Sequence, residues 1–124
     1  MRRKWYHIGM RSITTVVMLM ALAGALVGCF GPQGEKMKLP DNAVLLDVRR
    51  ADEFNAGHIK GAVLVPHDTI IEKVGAVVPD KSTPVYVYCR SGRRSAIVVE
   101  AMKKLGYTDL TDLGEMEEAK KRLR

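Results

Sequence analysis

The stretch "VYVYCRSGRRSAIVVE", Val85 to Glu100, decides how the chain is to be read. It opens on an apolar run rich in β-branched and aromatic side chains, which predicts a strand over 84–89. Val98, Ala101, Met102 and Leu105 follow at i, i+3, i+4 and i+7, with Glu100, Lys103 and Lys104 elsewhere on the surface. That spacing predicts a helix starting near Arg94 or Ser95, and Gly106 stands where a left-handed C-terminal cap belongs. Between strand and helix lies "CRSGRR", in which Cys89 is followed by Arg90, Arg93 and Arg94. Two readings are open: a buried core thiol before a solvated basic turn, or a nucleophile aimed into an anion-binding loop.

Outward from this segment, strand and helix patterns alternate. Residues 43–48 (AVLLDV) form a short apolar run ending in charge, which suits a buried strand, and 50–57 read as a helical turn closed by glycine. A second apolar run, 61–66, is stopped by Pro66; residues 68–78 begin with a capping Asp68 and fit a short helix. Residues 108–113 alternate as a last strand. "EMEEAKKRLR" then puts acids first and bases last, as a helix dipole prefers. Strands alternating with helices predict a small α/β domain with a mostly parallel sheet flanked by helices.

The N-terminal part has another character. Four of the 20 basic residues (Arg2, Arg3, Lys4, Arg11) precede 17 uncharged residues, Ser12–Gly28, while the rest of the chain is nearly balanced at 16 bases against 14 acids. The high pI is therefore partly N-terminal and does not argue for nucleic acid binding. The run is short for a bilayer-spanning helix and has the layout of a secretory signal. It ends in "LVGC", which resembles the bacterial lipoprotein box. That resemblance implies cleavage before Cys29 and acylation of its sulfur. Residues 1–28 are thus expected to be a lipoprotein signal peptide, and 29–41, with two glycines and two prolines, a lipidated cysteine and tether. The folded domain is expected over 42–124, held at a cell membrane or outer membrane and facing the periplasm or cell exterior. No CxxC pair or His/Cys cluster has metal-ligand spacing, so neither a metal nor another cofactor is expected.

At the C-terminal end of a parallel strand, Cys89 sits where open α/β sheets bind ligands. Gly92 allows the tight turn that lets successive amides face an anion, and the following helix adds its positive end. Three arginines lie within five residues of the thiol, and no acid occurs between Asp80 and Glu100. These features favour a thiolate nucleophile beside an anionic substrate over a purely structural thiol.

Together with "LLDVRRADEFNAGHIKGAVLVP", the loop resembles the rhodanese family. One signature reads Leu46-Asp47-Val48-Arg49, Glu53-Phe54, Gly57-His58-Ile59 and Gly61-Ala62; the other is "CRSGRRS" followed by a helix ending in "GY". The resemblance implies a single-domain sulfurtransferase in which Cys89 takes the outer sulfur of thiosulfate or a similar anion as a persulfide. A thiol, a protein or cyanide then accepts that sulfur. Loop positions Arg90, Ser91, Gly92, Arg93 and Arg94 would bind the donor, with the arginines orienting it. Phosphatases and arsenate reductases of the same fold place five residues between cysteine and arginine. Here that position is Ser95 and the arginine comes one earlier, at Arg94, a smaller ring that suits sulfur. A non-catalytic or persulfide-carrying binding module is the alternative from another class. Many relatives end in a glycine pair and a tryptophan-terminated helix. This chain has "LGEMEEAKKRLR" instead, which leaves the pocket more open on one side.

Several further residues carry smaller expectations. Asp47 and Arg49 read as a structural salt link supporting the loop. His58 reads as part of a fold-forming turn, His67 could line the pocket, and Tyr86 and Tyr88 read as core packing.

Overall fold

Four short strands, each followed by a helix, make up the chain from Val44 to Arg122 in a computed structural model that describes residues 36–123. The expected signal segment and Cys29 lie outside the described residues. In order, the elements are β1 (Val44–Asp47), α1 (Ala51–Ala56), β2 (Val63–Leu64), α2 (Ile70–Val77), β3 (Val85–Cys89), α3 (Arg93–Lys104), β4 (Leu110–Glu115) and α4 (Met116–Arg122). All pairings are parallel, and the sheet order is β2-β1-β3-β4. After β1 the chain moves to one side to make β2, then crosses back to place β3 on the other side. The carboxyl ends of β1 and β3 therefore flank a topological switch point, where α/β sheets form their crevice.

A parallel sheet must be covered on both faces, and the period-two alternation of each strand sorts residues between them. Leu46 and Val48, with Val85, Val87 and Cys89, face a core completed by Val74 of α2 and by Val98, Val99 and Met102 of α3. Leu45 and Tyr88 face the opposite side, with Leu113 and Ala119. Each fully buried aliphatic side chain contributes roughly 1.5–3 kcal/mol, so the larger first core holds the fold. Cys89 and Tyr88 are neighbours in sequence but point to opposite faces.

Element boundaries differ from the sequence reading where tertiary partners intervene. Helix α3 starts at Arg93, because Gly92 takes a left-handed conformation (φ 86°) and serves as its N-cap. Asp68 does not cap α2; Thr69 stands at that position and its hydroxyl donates to the Pro66 carbonyl at 3.2 Å. The last strand runs to Glu115 instead of 113. Thr108 and Asp109 are taken up at its entrance, by Lys81 and Val85, and a bulge opposite Val87 and Tyr88 shifts Gly114 into register. Gly106 does take the expected left-handed cap, at φ 96°. The expected tether to residue 41 is not wholly free chain. Met37 donates its amide to the Arg122 carbonyl at 2.6 Å, and Leu39 packs on the Leu45–Tyr88 cluster. The packed part of the chain therefore begins before Asn42.

Candidate active site

The β3–α3 connection is only Arg90, Ser91 and Gly92, and it folds back over the cysteine that precedes it. The amide of Gly92 donates to Cys89 Sγ at 3.0 Å, which requires the left-handed turn that glycine adopts without the strain a Cβ brings. Ser95 is fully buried beneath the loop: its hydroxyl donates to the Gly92 carbonyl at 2.9 Å, and the Cys89 thiol donates to its oxygen at 3.7 Å. Once the sulfur loses its proton, the same hydroxyl can turn from the carbonyl to the sulfur. The amides of Arg93, Arg94 and Ser95 open α3 and have no partner within the helix, so they add donors at the same end. Cys89 is a free thiol and is itself wholly buried. The structure therefore brings together the expected loop residues, and it adds Ser95, which the sequence reading used only as a spacing mark.

Arg94 differs from the expectation of a guanidinium free to orient a donor. It forms a two-pronged ion pair with Glu53 of α1, at 2.7 and 2.9 Å. That hydrogen-bonded pairing pulls the Glu53 pKa down to about 2, against the opposing effect of burial, and raises that of Arg94. The countercharge that seemed absent from the loop thus comes from 41 residues upstream. Glu53 also accepts the Arg50 amide at 3.0 Å, which fixes the first turn of α1. Among the described residues Arg90 and Arg93 make no ion pair.

Asp47 and Arg49 form the expected structural link, and it is buried. The guanidinium donates to both Asp47 oxygens at 2.7–3.0 Å and to the Gly57 carbonyl at 2.7 Å. Tyr88 donates its hydroxyl to Asp47 Oδ2 at 2.7 Å and accepts the Ile59 amide at 3.1 Å. Tyr88 is thus more than the packing residue the sequence suggested. Burial first, and the bond to Asp47 second, hold its phenol well above its ordinary pKa. The Arg49 guanidinium is shifted upward, chiefly by the hydrogen bond to Asp47. This network clamps the exits of β1 and β3 together from the face opposite Cys89. His58 belongs to the turn after α1: it stacks on Phe54 with ring centroids 3.7 Å apart and donates from Nδ1 to the Phe54 carbonyl at 2.9 Å.

Two clefts flank the loop. One, of about 410 Å³, is lined by Arg49, Glu53, Ala56, Arg90, Glu115, Met116 and Glu117. The other, also about 410 Å³, is lined by His67, Ser91, Arg93, Arg94 and Ile97. Chemically, the arrangement offers a nucleophilic sulfur under one amide, with a buried hydroxyl beside it and cationic side chains at the rim.

Fold and site together define an α/β domain with a cysteine-bearing loop at its switch point. The sequence profile of the rhodanese-like domain matches residues 34–118, and the chain belongs to that family. It is 33% identical over 73 residues to "Thiosulfate sulfurtransferase PspE" of Escherichia coli K12, covering 59% of this chain and 70% of that protein. The structure described as "rhodanese with anions from E. coli" superposes with a TM-score of 0.60 at 32% identity, over 61% of this chain and 89% of the other. The human single-domain sulfurtransferase TSTD1 shares the fold, with a TM-score of 0.58 at 20% identity over 90% and 95% of the two chains.

Proposed function

We propose that the protein is an exported, lipid-anchored sulfurtransferase that moves sulfane sulfur from thiosulfate, or a similar anion, to a thiol or protein acceptor. The observation that carries this reading is Cys89 at the exit of β3, with the Gly92 amide at 3.0 Å from its sulfur and Arg90 and Arg93 left without an ion pair among the described residues. In the first half-reaction, Cys89 thiolate attacks the outer sulfur of thiosulfate. A new bond forms from Sγ to that sulfur, the sulfur–sulfur bond of the donor breaks, and its electron pair leaves with sulfite. In the second, an acceptor thiolate attacks the outer persulfide sulfur and Cys89 leaves as thiolate. Loop amides and the Ser95 hydroxyl solvate the sulfur anion in both halves, as preorganised donors do for developing charge. A phosphoryl-transfer site is less well supported, since Ser95 occupies the place of the arginine such loops need and Arg94 is already bound to Glu53. The names of PspE and of the anion-bound E. coli rhodanese agree with an anionic sulfur donor. Export and anchoring rest on the basic start, the uncharged run and the "LVGC" box.

Intact-mass measurement of the full chain, purified from membranes in detergent and incubated with thiosulfate, tests both parts. Expected is the gain of one sulfur at Cys89, lost in Cys89→Ser, on a chain that starts at an acylated Cys29. A Cys89→Ser protein with full sulfur transfer would overturn the mechanism, and a wild-type N-terminus at Met1 without acyl mass would overturn the anchor.

A further inference from the structure

The two clefts beside the Cys89 loop have similar volume but different net charge once ion-paired side chains are cancelled. In the cleft on the α1 and α4 side, Arg49 is neutralised by Asp47 and Glu53 by Arg94. Glu117 is likewise paired, with Lys120 at 2.9 Å, so Arg90 and Glu115 remain and offset each other. In the cleft on the α3 side Arg94 is neutralised by Glu53, which leaves Arg93 and no acid. A small dianion is drawn to the second and finds no net attraction in the first.

The second cleft also holds a histidine with an unusual environment. His67 follows the exit of β2, and its backbone is fixed by donation of its amide to the Val48 carbonyl at 3.1 Å. Its Nδ1 is buried and has no hydrogen-bond partner. Nε2 is thus the ring nitrogen left to meet a ligand in the cleft that His67 lines with Ser91 and Arg93. Ile97, which is 54% exposed, closes the far wall with an apolar surface.

We propose that this α3-side cleft is where the sulfonate end of the sulfur donor binds, with His67 Nε2–H and the Arg93 guanidinium as its two side-chain donors. The inference rests on the sulfur-transfer reading above for the identity of the donor, and it makes His67 a specificity-determining residue. The donor then enters on the cationic side of the loop, and sulfite leaves by the same side. The carboxylate-bearing cleft is left to the acceptor.

Titration of sulfite into full-chain Cys89→Ser protein reads the subsite without the chemistry. Added His67→Asn, whose amide group lies at the δ position, is expected to weaken sulfite binding about tenfold, the loss of one hydrogen bond to a charged group. Added His67→Gln, which places an N–H near the ε position, is expected to stay within about threefold, and Arg93→Gln to lose about tenfold or more. With Cys89 present, the same His67→Asn change should raise KM for thiosulfate by a similar factor and leave kcat within about twofold, as for an interaction made equally with ground and transition states. Sulfite affinity unchanged by both His67→Asn and Arg93→Gln overturns the inference. So does an affinity that rises about tenfold only on Glu115→Gln, in the opposite cleft. Sulfite binding that depends on His67, in a protein that gains no sulfur from thiosulfate, supports the subsite and strikes out the donor named above.

Discussion

The exits of β1 and β3 are adjacent and carry similar residues, yet they are built in opposite ways. At the β1 exit, both oxygens of Asp47 are engaged, by Arg49 and by Tyr88, and Arg49 also bonds Gly57. At the β3 exit, Cys89 receives one amide, and two of the three following arginines have no acidic partner among the described residues. The first exit closes its charge internally on one face of the sheet; the second keeps donors unspent on the other. A buried charge network is tolerable only when fully satisfied, whereas a site that must bind an anion has to leave donors available. The clamp thus lets the loop carry uncompensated charge, because the strand ends beneath it are fixed from the far side.

Breaking the closed exit should have the largest effect. Asp47→Ala leaves the Arg49 guanidinium buried without its carboxylate and removes the acceptor for Tyr88, so it should cost about 3–5 kcal/mol of stability. For a domain of this size the thermal midpoint then falls by more than about 10 °C. The paired change Asp47→Leu with Arg49→Met, which removes both charges, should recover at least about half of that loss. Calorimetric melting of the three proteins decides it: a double variant as unstable as Asp47→Ala would mean that the network does not act as a charge-closed unit.

This asymmetry was only partly legible in the sequence. The strand–loop–helix around Cys89 could be read because its signals are local: an apolar run, a glycine, and a helical period from Val98 to Leu105. The Asp47–Arg49 link lay two residues apart and was equally open to view. The Tyr88 bond to Asp47 and the Glu53 bond to Arg94 each span 41 residues, and no local pattern encodes which face a strand residue will meet. Ser95 was hidden for a related reason. A serine in the first turn of a helix is ordinarily a surface residue, and only the fold-back of Gly92 buries it against the thiol. The start of β4 at Leu110 is not encoded in the alternation, because Thr108 and Asp109 serve the neighbouring turn and the entrance of β3.

The ion pair between Glu53 and Arg94 joins α1 to the first turn of α3, so it links the two exits and offers a graded way to test them. The Glu53 pKa lies at about 2 in the folded protein, below its ordinary 4.5. A depressed carboxylate stabilises the fold above its unfolded pKa, and that stability is lost as pH falls through the folded value. Stability should therefore drop by about 1–2 kcal/mol between about pH 5 and pH 2, allowing for the pair's partial exposure. In Glu53→Gln this part of the pH dependence should be absent, and the wild-type advantage at neutral pH should vanish by about pH 2. Denaturant unfolding at a series of pH values measures it. Identical acid slopes for the two proteins would place the pair outside the clamp.

An effect on stability no larger than this should give the sharpest separation of roles. Gly92 and Gly106 bracket α3 and take nearly the same left-handed conformation, at φ 86° and 96°. A Cβ at Gly106 would meet nothing within 4 Å, and one at Gly92 would make only ordinary contacts, 3.6 Å from Gly114 Cα. Alanine at either position should therefore cost a similar amount, about 1–2 kcal/mol, set by backbone conformation and not by crowding. Their consequences for chemistry should diverge. At Gly106 the strain is released into the α3–β4 turn, remote from the sulfur. At Gly92 relief of the strain rotates the one amide that reaches Cys89 Sγ, and removing a preorganised donor from a developing anion costs on the order of 100-fold in rate. Single-turnover sulfite release from thiosulfate, compared between variants of matched stability, reads the difference. Equal rates for the two variants would mean that the Gly92 amide only shapes the turn and takes no part in stabilising the sulfur anion.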